Sequence, residues 1–187
     1  MDKDSNEIVK KINVRKTIRY SVAVAASVLL IFIIIEAFKF YMLSSQKLYA
    51  ENYTAYELPA TQNGADSTES KIEKAYREKK YTEVISLNAN SVLSVKDVFL
   101  TGMSYLETND ISRAISNFQV VIADVKEEKT SVLKNEAEYY LALAYLKNND
   151  YDQAIELMNA IHDNSAHLYK TRFSRRYINR IKRLKWR

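Results

Sequence analysis

Few residues of this chain could do chemistry, and their spacing gathers none of them into a constellation. The two histidines, His162 and His167, stand five apart. Two ligands on one helix face stand three or four apart, and no carboxylate motif completes a metal set around this pair. Both read as surface histidines. The chain has no cysteine. That excludes thiolate zinc sites, iron–sulfur clusters, a cysteine nucleophile and a lipidated cysteine anchor. There is no Gly-x-Ser-x-Gly, no Gly-rich phosphate loop and no His-Glu-x-x-His. Glu127 and Glu128 read as a solvated loop. The expectation is a protein with no catalytic residues, no metal and no cofactor, and not an enzyme.

The other chemically distinct stretch is basic. Residues 168–187 carry nine Lys and Arg and no acidic side chain; residues 1–19 sum to +3, which leaves −7 for residues 20–167. Arg172, Arg175, Arg176, Arg180, Lys182 and Arg183 interleave there with aromatics. Tyr169, Phe173, Tyr177, Ile181 and Leu184 step by four, four, four and three, which predicts a helix over about 167–185 with one apolar stripe. Its outer face has several readings: a solvated cap, a surface for anionic lipid with Trp186 at the interface, a contact for an acidic partner or a second copy, or a nucleic-acid surface. Export across a membrane, argued next, speaks against nucleic acid.

Such a helix must be positioned by something, and the first element is an anchor. From Tyr20 to Ile35 runs YSVAVAASVLLIFIII without a charge, and EAFKFYML continues apolar to Leu43. As a helix, 20–43 would measure roughly 36 Å against a hydrocarbon core of about 30 Å. Glu36 and Lys39 lie one turn apart, where they can pair or reach water. No Ala-x-Ala cleavage site follows, and the run is too long for a signal peptide. Lys10, Lys11, Arg15, Lys16 and Arg19 crowd the N-terminal flank, so residues 1–19 read as a basic cytoplasmic segment and everything after Leu43 as exported.

Residues 44–67 read as a linker without helical periodicity. They hold the only Pro, Pro59, and one of the two Gly, Gly64. Tyr49, Tyr53, Tyr56 and Leu58 suit either a bilayer interface or an extended segment that packs on the domain or on a second copy. From Thr68 the helical period dominates, over a domain of residues 68–187. Segments 98–122 and 138–161 align with a shift of 40: Gly102 with Ala142, Tyr105 with Tyr145, Asn109-Asp110 with Asn149-Asp150, Ala114 with Ala154, Phe118 with Met158. The small residues permit close helix approach, and each Asn-Asp is a turn signal whose Asp can cap the next helix. A third copy over 72–87 aligns if one turn residue is deleted.

This pattern resembles the tetratricopeptide repeat: a small residue, a Tyr three later, an Ala nine further on and an aromatic four after that, here Phe118 and, in the second copy, Met158. The family's leading Trp is replaced by Val98 and Glu138, and its closing Pro by Lys126 and Ala166. The resemblance implies an all-α array of about seven helices following the transmembrane helix. It also implies a concave, partner-binding face bearing Lys96, Phe99, Met103, Leu106, Glu107, Glu136, Tyr139, Leu143 and Lys147. The expected partner is a protein or peptide, with a second copy as the alternative, and no nucleic acid. The arrangement as a whole looks like a bacterial, single-pass, inner-membrane scaffold whose repeats face the periplasm, an accessory factor of secretion or envelope assembly.

Overall fold

The architecture comes from a computed structural model, which describes residues 14–58, 69–88, 94–124 and 131–186. Nine helices and no strand occur among them. The chain divides into two units, 1–42 and 43–187.

The first unit is one helix, α1, Val14–Tyr41. Its stretch Ile18–Phe38 is long and apolar enough to cross a membrane, and none of it is buried within the protein. Soluble proteins rarely expose this much contiguous apolar surface. The Lys39 side chain and residues 1–13 lie outside the described residues.

The second unit is helical throughout. A short helix, α2 (Ser45–Asn52), precedes three hairpins: α3 (Lys71–Arg77) with α4 (Tyr81–Asn88), α5 (Val95–Glu107) with α6 (Ile111–Asp124), and α7 (Ser131–Lys147) with α8 (Tyr151–Asp163). α9 (Arg175–Lys185) closes the array. Each helix packs on the next from α3 to α9, and α5 also touches α3 and α7. That is the arrangement of stacked hairpins, with α3, α5 and α7 sharing one face.

The three hairpin turns are built alike. Lys79, Asn109 and Asn149 all sit at positive φ, at 56°, 64° and 65°. In the second hairpin the Asp110 N–H donates to the Tyr105 carbonyl at 2.8 Å and the Asn109 N–H to Leu106 at 3.3 Å. The third hairpin repeats both bonds, and in the first Lys80 donates to Ala75. This is a Schellman cap, and Asn tolerates its left-handed position best after Gly. The first hairpin therefore keeps its full turn. The aligned deletion is a correction: Ala75, not Tyr76, takes the place of Tyr105.

Gly102 shows why a small residue is needed there. A Cβ on it would lie 2.9 Å from Phe118 Cε1 and 3.1 Å from Asn117 Cβ, both on α6. Phe118 is fully buried and its ring has no room to yield. In the next repeat the equivalent pair is Ala142 and the thinner Met158.

Other expectations need correcting. Residues 45–52 are helical because Ser44 caps them, its hydroxyl accepting from the Lys47 N–H at 3.2 Å, and because Leu48 and Tyr49 are buried. Eight residues are too few for a periodicity to show. The last helix begins at Arg175, capped by Ser174, and not near 167. Tyr169 and Phe173 project from the turns before it, yet Phe173 is fully buried. Asp150 caps nothing with its side chain; the carboxylate accepts instead from Asn148 at 2.6 Å. His167 is no surface residue, being 4% exposed. Its Nδ1 accepts from the Tyr169 N–H at 3.0 Å, and its Nε2 lies 3.1 Å from a Glu138 oxygen. Those partners place the proton on Nε2. Burial holds its pKa down against the pull of Glu138. The charged stretch 126–131 and the polar run 61–68 lie, but for Ser131 at the start of α7, outside the described residues.

Candidate functional site

The face shared by α3, α5 and α7 is not empty. Residues 45–58 of the same chain run across it. α2 begins the run, and Tyr53 breaks the helix with φ −70° and ψ 131°. From there to Leu58 the chain has no helical structure.

Tyrosine hydroxyls on the array bind the backbone of this strap. Tyr177 of α9 donates to the Leu48 carbonyl at 2.7 Å. Tyr139 of α7 donates to the Asn52 carbonyl. Tyr140, next in α7, donates to Thr54 at 2.8 Å, and Tyr76 of α3 donates to Tyr56 at 3.0 Å. Asn52 ends α2, where the last carbonyls have no partner within the helix, and Thr54 and Tyr56 follow in the non-helical stretch; the hydroxyls therefore read backbone carbonyls without reference to side-chain identity. Desolvation by burial pushes the pKa of each of these tyrosines up, which keeps the donating proton in place.

Side chains of the strap supply the specific contacts. The Tyr53 hydroxyl donates to Glu107 of α5. The Tyr56 hydroxyl engages Glu136 of α7, whose carboxyl is pushed up by burial despite that bond. The Tyr56 ring meets Phe99 edge-on at 4.8 Å, and Tyr53 stacks on Tyr49 at the same distance. Lys147 lies 4.9 Å over the Tyr49 ring, its pKa lowered by burial. At the margin, Arg180 grips both Glu51 oxygens, at 2.5 and 2.7 Å. This bidentate pair holds the Glu51 carboxyl below its ordinary range. Behind the groove wall, Tyr139 stacks on Tyr169 at 4.2 Å; burial, helped by Glu136, pushes the Tyr169 hydroxyl up to about 12.

The residues expected on a binding face divide into groups. Phe99, Glu107, Glu136, Tyr139 and Lys147 converge on the strap. Met103, Leu106 and Leu143 are fully buried in the core. Lys96 pairs with Glu73 of α3 at 2.8 Å, outside the strap's contacts. In the basic tail, Arg180 holds the strap and Arg175 pairs with Asp163 at 2.5 Å, while Arg172, Arg176, Lys182 and Arg183 are exposed. Sequence reasoning missed Tyr76, Tyr140 and Tyr177. The available signal was the count of fourteen tyrosines, more than core packing alone calls for, since a buried Tyr needs a partner for its hydroxyl. No cluster of metal-ligating side chains occurs among the described residues.

What this arrangement can do chemically is hold a peptide by its backbone carbonyls. Residues 136–165, which cover most of α7 and all of α8, match the family model described as tetratricopeptide repeat. No curated protein and no solved structure matches the chain significantly. The α7–α8 hairpin is therefore what this chain shares with the tetratricopeptide repeat, a likeness carried by residues 136–165.

Proposed function

We propose that the chain is a membrane-tethered interaction scaffold of a bacterial envelope. In this reading α1 crosses the inner membrane once, the N-terminus stays in the cytoplasm and the helical array faces the periplasm. There it binds protein partners, as an accessory factor of secretion or envelope assembly, and works by binding and not by catalysis. The observation that carries the binding half is the strap itself: the groove holds a stretch of peptide, helical and then non-helical, by its carbonyls through a row of tyrosine hydroxyls. A partner uses the same hydroxyls only by displacing residues 45–58. A second copy of the chain is a partner of matching chemistry, because every copy owns this segment. The tethering half is supported by the fully exposed apolar stretch of α1 and its basic N-terminal flank.

A pair of reporters fused after Arg187 tests the topology. A phosphatase that folds only outside the cytoplasm is expected to be active, and a fluorescent protein that matures only inside is expected to stay dark. The opposite pair of results would overturn the periplasmic orientation of the array.

A further inference from the structure

α9 presents two faces of opposite chemistry. Tyr177, Ile178, Ile181 and Leu184 are buried. On the other side, at 100° per residue, Arg176, Lys182 and Arg183 are exposed, with Asn179 between them. Trp186 follows at the end of this face and is 86% exposed. The remaining cations of the helix are engaged: Arg175 with Asp163, Arg180 with Glu51 and Lys185 with Asp152. Arg176, Lys182 and Arg183 form no ion pair with a described residue.

The chemistry of the occupant follows from what this face has and lacks. A single-strand nucleic-acid surface needs aromatics interleaved with its cations, as stacking platforms. Here Phe173 and Tyr177 are buried, and the Tyr169 ring is stacked on Tyr139. One aromatic remains free, at the edge of the patch. Cations for phosphates, with one indole to sit at the boundary of headgroup and acyl chain, fit an anionic lipid surface.

We infer that the outer face of α9 docks on an anionic lipid surface, with Arg176, Lys182 and Arg183 on headgroup phosphates and Trp186 in the interface. This rests on the membrane-tethered reading, and the test separates the two. Trp186 is the only tryptophan of the chain, so its emission reports this face alone. The full chain is reconstituted into vesicles of pure phosphatidylcholine and of phosphatidylcholine mixed with phosphatidylglycerol, and co-flotation is measured beside tryptophan emission and iodide quenching. The chain is expected to float with both. Emission should shift to the blue, and quenching should fall severalfold, in the anionic vesicles only. High salt should reverse both changes, because a surface contact of this kind is screened. The R176Q/K182Q/R183Q variant should float normally and lose them. Its substitutions lie on the exposed face, and unchanged helical circular dichroism confirms its fold. A chain that floats with identical emission in both vesicles would overturn the docking and leave the anchor standing. A chain that floats with neither would overturn both. An oligonucleotide that reproduces the protection in pure phosphatidylcholine would assign the face to nucleic acid and overturn the lipid assignment.

Discussion

Loosening the strap is expected to raise the groove's apparent affinity for a separate peptide of residues 45–58 by about a hundredfold. The reason is local concentration. A segment joined to the array by a short connection competes at an effective concentration on the order of millimolar, against which a free peptide at micromolar concentration occupies little. Tyr53→Ala with Tyr56→Ala removes the bonds to Glu107 and Glu136 and the edge-on contact with Phe99. The array's own residues are untouched, so the groove keeps its full set of donors. Anisotropy of a labelled peptide, added to the full chain in detergent, measures the change. Equal weak binding by both proteins would show that the groove does not exchange its occupant.

Phe99→Ala is expected to destabilise the array by about 3–5 kcal/mol, the usual loss for a buried Phe. The Phe99 ring is fully buried and lies 5.8 Å from Phe118, 6.1 Å from Tyr140 and 4.8 Å from Tyr56 of the strap. It joins strap to hairpins, so its removal leaves a cavity between them. Tyr140→Phe makes the matched comparison. It keeps every ring contact and removes one hydroxyl from the Thr54 carbonyl, for about 1 kcal/mol. Urea unfolding of the full chain in detergent, followed by circular dichroism, separates the two. A Phe99→Ala loss below that of Tyr140→Phe would mean the ring is not the junction of strap and array.

The hairpins were legible because their determinants are local. Gly102 opposite Phe118, the Asn at two of the three left-handed caps and the shift of 40 residues all express contacts within one helix pair or between neighbours. The strap was only half legible. Tyr49, Tyr53 and Tyr56 stand out in a linker, but a tyrosine at a bilayer and a tyrosine in a groove look the same in one dimension. The partners of this segment lie far along the chain, 54 residues away in the bond of Tyr53 to Glu107 and 87 in that of Tyr139 to Asn52. No periodicity encodes contacts of that separation. For the same reason Tyr139 and Phe99 read as surface for a partner, when the chain itself covers them. The basic tail shows the converse. Its apolar stripe was visible, but Tyr169 and Phe173 keep their spacing without a helix, because turns present them to the same core.

The groove as a peptide site closed by its own strap is tested most directly by fixing the strap in place. The chain has no cysteine, so Tyr53→Cys with Glu107→Cys provides two thiols that a short bis-maleimide can bridge. Unbridged, this protein should take up the labelled 45–58 peptide, since the Tyr53–Glu107 bond is gone. Bridged, it should take up almost none. Equal uptake before and after bridging would place the peptide elsewhere and contradict the account.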